Sequence, residues 1–443
     1  MLTAIILEDF KSYRRATLPL SSLTVLIGAN ASGKSNVIEA LRLLSWLAQS
    51  QKLSSIQSSV NSADRVLRGR VDDLGFRNAS AIGLGCKTDR GEWNYLSLQL
   101  SLREDGLHIS KERLTTPGAT VPLYNLDQPS SGRGNDVQVA YNNFAPGPNK
   151  PHVVCSDQMA IFTQLDSPAT FSSSHKKAQK LIPEISKQLQ EWLGKILFLD
   201  PVPARMRDYS FPSEKNLQGD GVNLSSVLYH LWGQDSEAQA DPYRNQRQAI
   251  LDFIQSLPEQ DIASLSFLTE PRGGVLLQLE ETFGGQSRQF DASLLSDGTL
   301  RVLAIAAAML SAPEGSLVVI EEIDNGVHPS RAHHLLQQIQ SIASRRNLRV
   351  LLSTHNPAML DALPDGAVPD VVFCYRHPED GASRLVRLAD VPDYPELIAQ
   401  GTLGHLMTSG ALERFVKHHP TGEERKQRAL DWLARMRSGA SNE

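Results

Sequence analysis

The hydrophobic pattern near the N-terminus predicts a strand, a loop and a helix in that order. Leu23–Ile27 is an uninterrupted apolar run, which is typical of a strand buried on both faces of a parallel sheet. Residues 28–35 interrupt this pattern. Apolar residues then recur with the spacing of a helical stripe at Val37, Leu41, Leu44 and Ala48.

The middle of the chain changes to the alternating pattern of antiparallel strands. Leucines at every second position over 96–102, followed by an Asp-Gly turn at 105–106, predict a hairpin. Residues 116–152 are rich in Pro, Gly, Ser and Asn, which predicts a long surface loop or lid. Later segments predict helices over 176–197 and 243–257 and a second set of hairpins around 273–285.

The last third alternates strands with helices, which is typical of an α/β domain. It predicts a helix from Thr299, a strand at 317–320, a helix from Pro329, a strand at 348–353 and a basic helical segment at 411–437. Neither an internal repeat nor a sustained heptad pattern is visible, so a long coiled coil is not expected.

Composition and charge exclude several classes of protein. The 443 residues are 41% hydrophobic and 21% charged, which fits an ordered chain of several domains. A formal charge of −5 argues against a strongly basic nucleic-acid module, although a local basic patch stays open. The three cysteines are far apart and form no CxxC, so neither a disulfide framework nor a zinc finger is predicted. We expect a cytoplasmic protein without a membrane partner, because no long apolar run or signal peptide is visible.

Residues 28–35 match the pattern GxxxxGK[ST] between the predicted strand and helix. Glycines in such a loop let backbone N–H groups face phosphate oxygens, and the following helix adds its positive N-terminal end. In this pattern Lys34 reaches the β- and γ-phosphates, and the Ser35 hydroxyl binds Mg²⁺. A plain glycine-rich turn is the alternative interpretation, which the strand–loop–helix context disfavours.

A second motif is the acidic pair Glu321 and Glu322, directly after the apolar run 317–320. Carboxylates at the C-terminal end of a buried strand lie where open α/β sheets bind ligands. Glu321 is suited to hold Mg²⁺ through its waters, and Glu322 to orient or deprotonate an attacking water. Alone, such a pair is more often a solvated strand end, so the evidence for a site comes from its combination with residues 28–35.

Two further segments could meet an anion. Ser296 and Gly298 precede an apolar helix and would leave a hydroxyl and bare N–H groups at its N-terminus. Taken by itself, this segment is better explained as an ordinary helix cap. His355 follows the strand at 348–353. A lone histidine at a strand end is usually structural, but a polar group at this position could sense a γ-phosphate.

Taken in order, residues 9–41, 293–310, 317–330 and 349–357 resemble the ABC-type ATPase heads of the RecF/SMC/OLD group, also described as AAA-family ATPases, and most of all the standalone bacterial type. The resemblance implies a Walker A loop at 28–35, a signature at 296–299, a Walker B pair at 321–322, a D-loop at 324–326 and a switch histidine, His355. It implies ATP and Mg²⁺ as cofactors, with Glu322, His355 and Lys34 as catalytic residues. The implied nucleotide-binding residues are Gly28, Ala29, Asn30, Ala31, Ser32, Gly33, Lys34, Ser35, Asn36, Ser296, Asp297 and Gly298.

The chain departs from the family pattern in three places. The signature reads LSDG instead of LSGG, which adds the carboxylate of Asp297, and the Walker B pair is Glu-Glu instead of Asp-Glu. The Q-loop glutamine is either Gln158 or Gln164, and ordinary surface glutamines are the alternative. With Ser35 and Glu321, Gln164 completes the expected metal ligands.

The expected fold is an α/β ABC-type ATPase head: a mixed core sheet with flanking helices, an antiparallel β-subdomain and an inserted, mainly helical lid. The expected divisions are 1–64 and 261–400 for the two parts of the head, 65–260 for the β-hairpins and lid, and 401–443 for a helical tail. The gap between Ser35 and Ser296 lacks heptads, which excludes a long SMC-like arm. Residues 356–443 show no TOPRIM pattern, so we expect no nuclease within this chain.

The resemblance implies an Mg-ATP-dependent ATPase that forms an ATP-sandwiched homodimer and serves a DNA-related process, in phage defence or DNA repair. DNA or an effector, such as a TOPRIM-type nuclease encoded nearby, is the expected partner. The alternative is a nucleotide-gated scaffold that sequesters a toxin or nuclease with little turnover. A transporter subunit is disfavoured because the predicted lid is too large.

Overall fold

The computed structural model describes residues 1–56, 66–130, 134–233, 244–254, 262–283, 286–391 and 394–418. The strands are β1 (Leu2–Phe10), β2 (Tyr13–Pro19), β3 (Leu23–Ile27), β4 (Ala81–Thr88), β5 (Tyr95–Arg103), β6 (Gly106–Thr115), β7 (Tyr124–Gln128), β8 (Asp136–Tyr141), β9 (His152–Ser156), β10 (Leu197–Leu199), β11 (Ile262–Thr269), β12 (Val275–Phe283), β13 (Gln286–Asp291), β14 (Leu317–Ile320), β15 (Arg349–Ser353), β16 (Val371–Arg376) and β17 (Ser383–Arg387). The α-helices are α1 (Lys34–Ala48), α2 (Ile161–Gln164), α3 (Lys176–Gly194), α4 (Pro203–Met206), α5 (Leu224–Trp232), α6 (Arg244–Ile254), α7 (Asp297–Ser311), α8 (Pro329–Arg345), α9 (Pro357–Asp361), α10 (Tyr394–Ile398), α11 (Leu403–Thr408) and α12 (Ala411–His418).

The core sheet has the order β10-β14-β15-β3-β16-β17 and is parallel except for β17. All five residues of β3 are buried, as an apolar strand covered on both faces requires. Leu26 contributes to a core shared with α1 and α3, whereas Val25 and Ile27 face a second core with α7 and α8. The carboxyl ends of β3, β14 and β15 meet at one edge, because the three strands are parallel neighbours.

The second sheet is antiparallel, with the order β2-β1-β4-β5-β6-β7-β8-β9. Its buried side chains join those of α1 and α3 in the first core. The third sheet, β11-β12-β13, is also antiparallel, and its apolar residues pack with α5, α6 and α7 in the second core. Helix α1 therefore packs between the core sheet and the eight-stranded sheet, and helix α7 packs between the core sheet and the three-stranded sheet.

The predicted α/β fold class, with a mixed core sheet, flanking helices and an antiparallel subdomain, is confirmed. Within the described ranges the longest helix is α3, with 19 residues, which is too short for a coiled-coil arm. No helix in the described part of the chain combines the length and apolarity needed to cross a membrane.

One prediction about the middle of the chain is wrong. Residues 116–152 contain β7 and β8, which continue the eight-stranded sheet, so they are not a continuous loop. Within the predicted lid, β10 pairs with β14 of the core sheet. The domain divisions at 64, 260 and 400 remain predictions, and most of the basic segment 411–437 lies outside the described residues.

Candidate active site

The 28–35 loop wraps tightly at the carboxyl end of β3. Gly28 has φ +146°, and a Cβ at this position would lie 2.2 Å from the carbonyl oxygen of Cys374. Only glycine tolerates this backbone geometry and this close approach. The back of the loop is held by Ser383, whose hydroxyl donates to the Ser32 carbonyl at 2.5 Å. The loop is therefore fixed from behind, with its front open to the cavity described below.

Lys34 lies at the first turn of α1 and points back across the loop. Its Nζ donates to the carbonyl oxygens of Gly28 at 2.5 Å and Ala29 at 3.1 Å. Burial lowers the pKa of Lys34, and the negative charges that oppose this shift include Glu322. In the described residues, the buried hydroxyl of Ser32 has no hydrogen-bond partner. A cation and an unpartnered hydroxyl in one loop provide donors for an anion.

Glu321 is the first residue after β14, and an ion pair fixes its side chain. Its Oε1 lies 2.7 Å from Nη2 of Arg42 on α1, and its N–H donates to the Leu199 carbonyl at 3.1 Å. The Arg42 guanidinium lies 4.6 Å from the centre of the Phe198 ring. Because Arg42 belongs to the helix that begins with Lys34, this pair joins the two predicted motifs.

Glu322 has an unusual backbone conformation with φ +48°. A non-glycine residue in this region is strained unless its surroundings hold it, and such residues concentrate at functional sites. Here the Glu322 N–H donates to Ser353 Oγ at 3.0 Å, and Asn325 Nδ2 donates to Glu322 Oε2 at 2.7 Å. The Glu322 backbone is therefore held at the end of β15, and its carboxylate is held by Asn325.

Asp324 connects this acidic segment to His355. Thr354 Oγ1 donates to Asp324 Oδ1 at 2.7 Å, and His355 Nδ1 lies 3.6 Å from Asp324 Oδ2. The Asp324 side chain is 6% exposed, whereas that of His355 is 51% exposed. The buried carboxylate thus lies beside a histidine whose ring reaches solvent.

A cavity of about 580 Å³ lies in front of the loop. Its lining combines three of the predicted motifs: Ala29, Asn30, Ala31, Ser32, Gly33, Lys34, Ser35 and Asn36 of the loop, the acidic pair Glu321 and Glu322, and Ser353, Thr354 and His355. A volume of this size is ordinary for a pocket that holds a small-molecule ligand. The predicted catalytic residues therefore share one cavity.

The predicted signature is not part of this cavity's described lining. Ser296 is the N-cap of α7, and its Oγ accepts the Thr299 N–H at 3.1 Å, which is the helix cap considered above. The Asp297 carboxylate pairs with Arg207 Nη2 at 2.7 Å. Within this chain Ser296 therefore serves as a helix cap, and the N-terminal end of α7 is exposed.

The Q-loop prediction finds no support in the structure. Gln164 accepts the Ser156 N–H and donates to the carbonyl oxygens of Ser156 and Met159, each at 2.8–2.9 Å. Gln158 donates to the Leu107 carbonyl at 3.2 Å within the antiparallel subdomain. The described cavity lining includes neither glutamine, because these bonds hold both near the end of β9. Gln164 as a metal ligand therefore stays a prediction, and its side chain is bonded outside the described lining of the cavity.

Four charged residues that line the cavity are not predicted by the motifs: Lys11, Glu39, Arg68 and Arg376. The buried Glu39 forms ion pairs with both Lys11 and Arg68, and Arg376 Nε donates to the Ala31 carbonyl at 3.1 Å. A charged residue on the apolar side of α1 is the one sequence signal that could have identified Glu39. Lys11 lies within the 9–41 segment of the resemblance, whereas Arg68 and Arg376 come from separate segments that no motif covers.

Two family models match the chain. One, described as "AAA domain, putative AbiEii toxin, Type IV TA system", matches residues 170–361, and an AAA ATPase domain model matches residues 1–87. Together the matches contain the 28–35 loop, the 296–299 segment, the acidic pair and His355. The recognition of an ATPase head of the AAA and ABC type in the RecF/SMC group is therefore confirmed.

Similar proteins include the structural maintenance of chromosomes protein 1 of Schizosaccharomyces pombe, 22% identical over 266 residues, or 59% of this chain. The chain spans 18% of the length of that relative. An SMC head bound to the C-winged helix domain of ScpA is 14% identical with a TM-score of 0.46, covering 87% of this chain and 97% of that one. An SMC head domain from Thermotoga maritima is 14% identical with a TM-score of 0.38, covering 87% and 98%.

Proposed function

We propose that this chain binds Mg-ATP in the 580 Å³ cavity and hydrolyses its γ-phosphate bond. One observation carries the proposal: the cavity lining joins Lys34 and its loop to Glu321, Glu322 and His355. Phosphoryl transfer needs a phosphate cradle, a metal-binding side chain and a group that positions water. All three types of group line this cavity, and the AAA-family matches support the same activity.

The phosphate-binding role falls to the loop and Lys34. The Lys34 ammonium donates hydrogen bonds to two carbonyl oxygens of its own loop. When a phosphate binds, the ammonium can donate to the phosphate oxygens instead and stay within the cavity. The Ser32 hydroxyl supplies a further donor. A polyanion fits this site because these donors lie beside the N-terminus of the 15-residue helix α1.

Ser35 and Glu321 are the residues that would hold Mg²⁺. Both line the cavity, and hydroxyl and carboxylate oxygens are the ligands that this hard cation accepts. Bound Mg²⁺ supplies charge neutralisation of the phosphate oxygens. The Arg42 ion pair directs Glu321 toward α1, so Arg42 is a positioning residue for this carboxylate.

Glu322 is the proposed general base. Its carboxylate, held by Asn325, would accept a proton from the attacking water or orient that water. His355, oriented by Asp324, would donate a hydrogen bond to the transferred phosphoryl group. This assignment gives each of the two adjacent glutamates a different role.

We further propose that two copies sandwich ATP, with the Ser296–Gly298 end of α7 from one copy facing the cavity of the other. The Ser296–Gly298 segment is not part of the described lining of the cavity in its own chain, which supports this arrangement. If the segment contacts nucleotide, that nucleotide must be bound by another copy.

The process that the protein serves, in phage defence or DNA repair, would need an effector. The toxin–antitoxin wording of one family match supports a defence role. We place the protein in the cytoplasm.

Binding and turnover test this function separately. The wild type should bind Mg-ATP and release phosphate, whereas Lys34→Ala should lose both, as followed by calorimetry and steady-state phosphate release. Lys111→Ala, at an exposed lysine on β6, is the matched control and should behave as wild type. If the wild type binds ATP but releases no phosphate with or without DNA, the nucleotide-gated scaffold replaces the ATPase.

A further inference from the structure

An ion pair holds the carboxylate that distinguishes this signature from the LSGG pattern. Arg207 Nη2 lies 2.7 Å from Asp297 Oδ1 and donates to the Leu295 carbonyl at 3.0 Å. The Arg207 side chain is 28% exposed and that of Asp297 is 67% exposed. One guanidinium therefore contacts the signature segment both through its added charge and through the backbone before it.

The segment that carries Arg207 is itself fixed. Met206 is buried on one side of Arg207. On the other side, Ser210 exchanges two backbone hydrogen bonds with Val275 of β12, at 2.9 and 3.0 Å, and its Oγ accepts the Ser226 N–H at 2.8 Å. Because the chain is anchored on both sides of Arg207, the backbone of this residue has a fixed position relative to α7.

The electrostatic consequence follows from the proposed function, on which this inference rests. If the start of α7 faces the phosphates of a second copy's ATP, a carboxylate at position 297 repels them. Like charges brought together at an interface oppose its closure. A neighbouring guanidinium cancels that charge while leaving the Ser296 hydroxyl and the Gly298 backbone accessible.

We propose that Arg207 is a positioning residue for the shared ATP site: it neutralises Asp297 and holds the signature segment through the Leu295 carbonyl. An LSDG signature can then function because an arginine 90 residues earlier in the chain neutralises the charge of Asp297. The partner group recognised across the interface is the triphosphate of the nucleotide bound by a second copy of this chain.

The test compares Arg207→Gln, Asp297→Asn and the double variant by steady-state phosphate release. Arg207→Gln keeps a donor for the Leu295 carbonyl but removes the charge, and it should lower kcat/KM for ATP by about tenfold or more. The double variant should be more active than Arg207→Gln and should match Asp297→Asn, because neither of these two carries the uncompensated carboxylate. Arg207→Lys should retain most activity, and Arg113→Ala, at an exposed arginine on β6, is the control.

Ionic strength separates a charge effect from a structural one. Raising salt from about 20 mM to about 300 mM should relieve part of the Arg207→Gln defect, because it screens the uncompensated carboxylate. Wild-type activity in Arg207→Gln, or a double variant no better than Arg207→Gln, would overturn the inference. Lys34→Ala tells the two failures apart: if it is inactive the ATPase assignment stands, and if it is active the proposed function itself is wrong.

Discussion

The backbone of Gly298 lies directly against that of Gly326: a Cβ on Gly298 would be 2.4 Å from the Gly326 carbonyl oxygen. Gly326 has φ +76°, and a Cβ there would approach the Gly298 Cα to 3.1 Å. The start of α7 and the 324–326 turn are therefore in contact within one chain. Because Asn325 of that turn holds the Glu322 carboxylate, a displacement at Gly298 has a short path to the proposed base.

Gly298→Ala should disturb this contact without removing any charged group. The added methyl cannot fit against a carbonyl, so the 324–326 turn must shift, at a cost of about 1–3 kcal/mol in the free energy of unfolding. We expect phosphate release to fall by about tenfold while ATP still binds. Gly366→Ala is the control, because a Cβ there meets only the Gln340 amide nitrogen, at 3.7 Å. Equal activity of the two variants would argue against a functional contact between the segments.

A mixing experiment tests whether the ATP site is shared between copies. Ser296→Arg blocks the segment that one copy presents, whereas Lys34→Ala disables the cavity of the other. Each variant alone should be inactive, but a heterodimer retains one composite site made from the unmutated Ser296 and the unmutated Lys34. Partial recovery of phosphate release on mixing is expected. No recovery at any ratio, with heterodimers demonstrated, would contradict independent shared sites.

The antiparallel subdomain contains a buried acid with a distinct pH signature. Glu112 accepts hydrogen bonds from the Tyr124 hydroxyl and from the N–H groups of Ile161 and Phe162, each at 2.8 Å. Burial raises the pKa of Glu112 from 4.5 to about 7, against these hydrogen bonds. The folded state thus binds a proton that the unfolded chain releases between these two pH values.

The free energy of unfolding should consequently fall as pH rises from 4.5 to about 7, by about 3 kcal/mol from this group. Urea titrations at several pH values measure the slope. Glu112→Gln should remove this component, whereas Glu104→Gln, at an exposed glutamate on the same hairpin, should keep it. An unchanged slope in Glu112→Gln would show that Glu112 does not titrate in this range.

The strands and helix that carry the motifs could be predicted because their local patterns are strong. β3, β14 and the start of α1 follow from an apolar run, a glycine-rich break and a helical stripe. β7 and β8 could not be predicted, because polar and turn-forming residues surround their few buried side chains, such as Tyr124 and Val139. Their pairing depends on neighbouring strands of the sheet, which a local pattern does not contain.

The site follows the same division. The sequence could predict that the motifs lie together, because each motif follows a strand of the parallel sheet. These motifs are the 28–35 loop, the pair Glu321 and Glu322, and His355. The ion pairs that orient them could not be predicted, since Arg42 and Glu321 are 279 residues apart and Arg207 and Asp297 are 90 apart. Such partners depend on tertiary packing and have no signal in the intervening sequence.

We expect the purified protein to hydrolyse ATP without cutting DNA in Mg²⁺ or Mn²⁺. Cleavage of a phosphodiester needs convergent carboxylates, and the pair Glu321 and Glu322 lines the cavity that we propose for ATP. Asp380 forms an ion pair with Arg384 at 2.8 Å, Asp390 ends a short 3₁₀ turn, and Asp393 lies outside the described residues. Metal-dependent cleavage that survives Lys34→Ala but is lost on mutating Asp390 and Asp393 would contradict this prediction.

The central claim is that Glu322 promotes hydrolysis of ATP held by Lys34 and its loop. The most direct measurement is steady-state phosphate release by Glu322→Gln beside ATP affinity for the same variant. The amide keeps the size of the side chain but cannot accept a proton, so turnover should fall by about 10²-fold or more. Affinity should persist, and an ATP-bound dimer should accumulate. Wild-type turnover in Glu322→Gln would contradict the assignment.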